Sequence, residues 1–148
     1  MGALKELGGK LVYLDANVFI YALGGLAPWS DVAQALLTAI EKEAIAAVTS
    51  ELTLAECLVR PLQLGAADAI SAFEQSIRTR PRLTVVPITR AILVEAARVR
   101  AVSAARLPDA IHIATSRAEH CEAFVTNDRQ LATLPELKVV LLSQAVPG

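Results

Sequence analysis

At 148 residues, 54% hydrophobic and 20% charged, the sequence is long and apolar enough to bury one ordinary core. Disorder is excluded, because it needs low hydrophobicity with high net charge, and here 14 basic residues nearly balance 15 acidic ones. Mean hydropathy is +0.47, yet charges or turn residues interrupt every apolar run before the roughly 18 residues of a membrane span. Met1 to Lys10 lacks the apolar stretch of a signal peptide, and Glu6 stands where a myristoylation motif carries Ser or Thr. The expected location is therefore the cytoplasm, and the expected organisation is a single domain over residues 1–148. Cys57 and Cys121 have neither metal-site spacing nor secretory context and read as buried free thiols.

In chain order, Leu11 to Leu14 is a short apolar run ending at Asp15 and reads as a buried strand. Ser30-Asp31 opens a helix with Val32, Ala35, Leu36, Ala39 and Ile40 at helical spacing. Ile45 to Thr49 is a second strand, and Ser50 caps a helix carrying Leu52, Ala55 and Val59, which Pro61 is expected to end. Ala66 to Arg78 begins another helix, with Ile70, Phe73 and Ile77 on one face. Leu83 to Val86 is a third strand, closed by Pro87, and Thr89 caps a helix over residues 91–101. Pro108 suits the first turn of a helix running to Ala118. Glu122 to Thr126 and Val139 to Leu142 are the fourth and fifth strands. Strands alternating with helices imply βαβ units, so the fold class is α/β, a central and mostly parallel five-stranded sheet flanked by helices. In such sheets ligands sit beyond the carboxyl ends of the strands.

Acidic residues concentrate at that level. Asp15 directly follows the first strand, and Asp128 follows the fourth after Thr126-Asn127. Glu56 lies at the margin of an apolar helix face, four residues before Arg60, and Asp109 lies in a helix's first turn. Each has an ordinary structural reading as helix cap, surface ion pair, dipole complement or turn residue. Taken together, four acids from four segments could converge on one crevice. Clustered carboxylates resist joint ionisation unless a cation sits among them, and hard Mg²⁺ or Mn²⁺ suits oxygen donors. No His–Cys set competes for a metal, which disfavours zinc.

The segments Leu14-Asp15-Ala16-Asn17-Val18-Phe19-Ile20-Tyr21, Thr53-Leu54-Ala55-Glu56, Pro108-Asp109-Ala110-Ile111-His112-Ile113-Ala114-Thr115 and Val125-Thr126-Asn127-Asp128 resemble the four PIN-domain motifs. They stand in family order and span nearly the whole chain. The resemblance implies one or two Mg²⁺ or Mn²⁺ ions and an endoribonuclease that hydrolyses RNA phosphodiester bonds with metal-activated water. It implies that Asp15, Glu56 and Asp109 bind the metal, with Asp128 as a fourth acid of more variable role and Asn17 and Thr126 beside them. The size is similar to that of VapC-type toxins, which cleave RNA and are held inactive by a partner antitoxin. Two rival readings remain, a catalytically inactive PIN-fold binding module and a phosphatase-like hydrolase using Asp15 as nucleophile. The second usually pairs another Asp two residues on, where this chain has Asn17.

His112, one turn after Asp109, reads as a hydrogen-bonded packing residue, with a general-acid role as the alternative. His120 reads as solvated surface. Between Thr79 and Arg106, Arg80, Arg82, Arg90, Arg98, Arg100 and Arg106 face a single acid, Glu95. Such a stripe offers contacts to phosphates within a chain of net charge −1, and Arg98, Arg100 and Arg106 are the candidates for RNA. Pro28-Trp29 reads as local packing or an interface anchor. The share of apolar residues favours a homodimer.

Overall fold

The computed structural model describes residues 6–134 and 137–145, so the reading of Met1-Gly2 as unlipidated lies outside the described residues. The elements follow in the order β1 (Leu11–Leu14), α1 (Ala16–Gly24), α2 (Ser30–Glu41), β2 (Ala46–Ser50), α3 (Glu51–Leu64), α4 (Ala67–Ser76) and β3 (Leu83–Val86). Next come α5 (Arg90–Val102), α6 (Leu107–Ala118), β4 (Ala123–Thr126), β5 (Val139–Leu141) and α7 (Leu142–Ala145). The five strands form one sheet in the order β3-β2-β1-β4-β5, and all four pairings are parallel.

Period-two alternation sorts each strand between two cores. Val12, Leu14, Ala47, Leu83, Val85, Ala123 and Val125 point to one face, against Val18 and Phe19 of α1, Leu36 of α2, Cys57 of α3 and Phe73 of α4. Tyr13, Val48, Val86 and Phe124 point to the other, against Ile92, Ala96 and Val99 of α5 and Ala110, Ile113 and Ala114 of α6. The sheet is thus buried on both faces, which is why its strands read as apolar runs. Trp29 is half-buried and packs against the first core, so the local-packing reading holds. Cys57 is a buried free thiol as expected, whereas Cys121 is only half-buried. Among the described residues no helix is long and apolar enough to cross a membrane.

The caps stand where the sequence places them. The Ser50 hydroxyl accepts the Leu52 N–H at 3.0 Å, and the Thr89 hydroxyl accepts that of Ile92 at 3.2 Å. Helix α3 departs from expectation twice. Pro61 lies inside it, and the helix runs on to Leu64 before Gly65 closes it in the left-handed conformation (φ 63°), its N–H bonding to Leu62 O. Pro61 is buried, so its ring contributes packing that offsets the missing helical hydrogen bond. The buried face is Thr53, Cys57 and Pro61, not Leu52, Ala55 and Val59; Ala55 is exposed and Val59 is 55% exposed. Small side chains are needed there because α3 approaches β2 and α1 closely. Thr53 hydrogen-bonds Thr49 at 2.7 Å, and the Cys57 thiol lies 3.8 Å from Ala16 O.

Candidate active site

Strand order reverses at β1, which β2 flanks on one side and β4 on the other. A parallel sheet opens its crevice at such a switch point, beyond the carboxyl ends of the two strands. Asp15 and Thr126 stand at those ends. Asp15 is 6% exposed. Its Oδ1 accepts the Asn17 N–H at 2.9 Å, capping α1, and its Oδ2 accepts the Asn17 side-chain amide at 3.3 Å and the Thr126 hydroxyl. Thr126 Oγ1 in turn accepts the Asp128 N–H at 3.1 Å, and Asp128 Oδ1 accepts the Gln130 N–H at 2.9 Å. Asn17, Asp15, Thr126 and Asp128 therefore form one continuous hydrogen-bonded path across the crevice. Asp15 thus caps α1 and faces the crevice at the same time.

Glu56 approaches from α3. Thr49 fixes the start of that helix by donating to Leu14 O at 2.7 Å, which ties it to β1. The partner of Glu56 is His112 rather than Arg60: Glu56 Oε1 lies 2.5 Å from His112 Nε2, and His112 Nδ1 lies 2.6 Å from the Tyr13 hydroxyl. His112 is 3% exposed and packs edge-on against Tyr13. It is the hydrogen-bonded packing residue that the sequence suggests, but its link to Glu56 is not legible there. Its spacing from Asp109 is the one available signal, since one helical turn places both on the face toward the crevice.

Asp109, in the first turn of α6, and Asp128 line an open cavity of about 660 Å³ with Arg106 and Gln130, over apolar Ala105 and Leu131. Asp15 and Glu56 do not line it, so the acids stand as an inner and an outer pair. Electrostatics joins the pairs. Burial pushes Asp15 from its ordinary 3.8 up to about 6, against the pull of Thr126, His112 and Asn17, and Glu56 adds to the rise. Burial also raises Asp109, followed by the charges of Asp128 and Glu56, while His112 and Arg106 pull it down. The Tyr13 phenol is held well above its ordinary value, first by burial and then by Asp15. Burial drives both thiols to about 12, which keeps Cys57 and Cys121 protonated and unreactive at neutral pH.

The three candidate arginines differ in position. Only Arg106 reaches the cavity. Arg100 donates to Ala105 O at 3.1 Å and clasps the turn between α5 and α6. Arg98 is exposed on α5, 3.9 Å from Glu95.

The donor set is carboxylate oxygen throughout; burial chiefly raises Asp15 and Asp109, neighbouring carboxylates add to the rise, and a divalent cation would relieve both. In chemical kind it fits Mg²⁺ or Mn²⁺. Among the described residues no three His, Cys, Asp or Glu side chains are close enough to enclose an ion. Glu56, Asp109 and Asp128, all partly exposed, would have to close in.

The fold is similar to that of several solved structures. One is a toxin–antitoxin complex from Klebsiella pneumoniae (20% identity, 88% of this chain and 97% of that one, TM-score 0.65). Another is DNA-bound VapBC from Salmonella typhimurium (16% identity, 90% and 98%, TM-score 0.69). A third is VapC20 from Mycobacterium tuberculosis, described as a sarcin–ricin loop cleaving toxin (15% identity, 86% and 98%, TM-score 0.66). None of the curated proteins compared by sequence matches the chain. The PIN domain profile matches residues 12–137, a span that holds all four acids, and the chain belongs to the PIN domain family.

Proposed function

We propose that the chain is a metal-dependent endoribonuclease and the toxin of a toxin–antitoxin pair. The observation that carries this reading is the buried Asp15 carboxylate at the sheet's switch point, hydrogen-bonded through Thr126 to the Asp128 backbone and electrostatically coupled to Glu56. Membership of the PIN family supports it, as does similarity in fold to a toxin whose described action is on the sarcin–ricin loop. Asp15, Glu56, Asp109 and Asp128 would hold Mg²⁺ or Mn²⁺, which when bound supplies an activated water and neutralises charge on the phosphate. Asn17 and Thr126 fix the Asp15 carboxylate, and Arg106 at the cavity offers a bidentate fork to an RNA phosphate. The phosphatase-like reading usually needs a second Asp two residues after the first, and Asn17 in that position argues against it.

Cleavage of RNA in Mg²⁺ or Mn²⁺, abolished by EDTA and by Asp15→Asn or Asp109→Asn, is the expected result. Full cleavage in excess chelator would overturn the metal reading, and a metal-loaded chain that binds RNA without cutting it would favour the inactive binding module. For the partner, growth arrest on expression should be relieved by co-expressing an antitoxin encoded beside the gene. A homodimer is supported by Val59, Leu62 and Leu64, 55%, 59% and 64% exposed on the last turns of α3. Light scattering that shows only monomer at micromolar concentration would count against it.

A further inference from the structure

We propose that His112, anchored by the Tyr13 hydroxyl, is a positioning residue that holds the Glu56 carboxylate in the orientation in which it receives a divalent cation. This rests on the nuclease reading above and goes beyond it, since that reading assigns His112 no role. An ionised carboxylate only accepts hydrogen bonds, so the close Glu56 Oε1–His112 Nε2 contact, 2.5 Å, requires the proton on Nε2. Nδ1 lies 2.6 Å from the Tyr13 hydroxyl, which gives its proton to a neutral ring and accepts one from a charged ring. In either state Nε2 donates to Glu56 while Tyr13 holds the other side of the ring.

Each link is fixed from behind. Tyr13 is fully buried on β1, stacked on Phe124 with ring centroids 5.0 Å apart, so its hydroxyl is delivered by the sheet itself. His112 lies on α6, which also carries Asp109, and Tyr13 is two residues before Asp15. Glu56, by contrast, has a side chain 34% exposed, and its rotatable bonds leave the carboxylate several orientations. Through Nε2, the sheet and α6 set the Glu56 oxygen relative to the other acids. A hydrogen bond from a buried ring to one oxygen leaves the second oxygen for an ion, and such outer partners typically change metal affinity by about 10–100-fold when removed.

The test reads metal binding and ring chemistry rather than activity alone. Mn²⁺ titration by calorimetry, at a temperature where each variant is folded, should show His112→Leu weakened by about 10–100-fold and Tyr13→Phe weakened less. His112→Gln, which keeps an amide donor toward Glu56, should recover part of the loss. A merely structural role lowers the melting temperature of His112→Leu while its folded fraction binds Mn²⁺ as before, and that result overturns the proposal. If His112→Leu fails to fold, His112→Gln and Tyr13→Phe decide, and unchanged Mn²⁺ affinity in both overturns it. In the metal-free protein, ¹⁵N spectra of the imidazole should report a protonated Nε2. An unprotonated Nε2 overturns the proposal. An unaltered chain that binds no Mn²⁺ sinks the nuclease reading and this role together, whereas Mn²⁺ binding unaffected by all three variants sinks this inference alone.

Discussion

Asp15 accepts hydrogen bonds from the Asn17 backbone, the Asn17 amide and the Thr126 hydroxyl, each of which favours its ionised form. Its pKa nevertheless rises to about 6, because burial outweighs all three. A carboxyl with a folded pKa above its unfolded one is more stable in the fold when protonated. Its contribution is therefore fully present below about 4 and is lost as pH rises through about 6. The gap corresponds to roughly 3 kcal/mol, an upper bound for one group. In the metal-free protein, urea unfolding across that window should show stability falling with rising pH, and Asp15→Asn should remove most of the fall. Asparagine also serves as a helix cap, so capping of α1 should survive the substitution. A loss of several kcal/mol at every pH would instead make Asp15 chiefly a structural residue.

Helices show where reading the sequence succeeds and where it stops. The strands are legible because a two-faced parallel sheet demands continuous apolar runs, and Ser50 and Thr89 are legible as caps because their chemistry is local. The level of Asp15 and Asp128 follows from strand ends alone. Helix α3 carries apolar residues on more than one face: Thr53, Cys57 and Pro61 recur every four residues with Leu54 and Leu58 beside them, as regular a stripe as Leu52, Ala55 and Val59, and close approach to β2 and α1 chooses between the two. The Glu56–His112 hydrogen bond joins residues 56 apart and is invisible in sequence for the same reason. Termination of α3 is a separable property. Pro61 does not stop the helix; Gly65 does, at φ 63°, and a Cβ there would meet nothing within 4 Å. Gly65→Ala should therefore cost only the backbone penalty, about 1 kcal/mol. Gly65→Asn should cost less, since asparagine tolerates that conformation better. Equal stability of Gly65→Ala and the unaltered chain in denaturant melts would show that α3 ends by packing rather than by its cap.

At the scale of the whole molecule, a net charge of −1 gives no general attraction for a polyanion, and the acidic crevice repels one. On the proposed reading, RNA binding would have to come from charge that is local, and the arginines differ in what they offer it. Arg100 is committed to the Ala105 carbonyl, so replacing it would disturb the turn that leads into α6 and confuse any effect on RNA. Arg106 sits at the cavity beside Asp109 and Asp128, and although it occupies the N-cap position of α6 its side chain makes no capping bond. Arg106→Ala should therefore leave the helix intact while removing one cation from the path of the phosphates. On single-stranded RNA the slope of log affinity against log salt should flatten by roughly 0.7, the increment for each phosphate neutralised. Arg98→Ala, exposed on α5 outside the cavity, should change the slope by less than Arg106→Ala if the strand enters through the cavity, and by as much if the strand also tracks α5. Measuring in Ca²⁺, chosen to support binding with little cleavage, keeps the two steps apart. Unchanged affinity and slope in Arg106→Ala would remove the cavity from the RNA path.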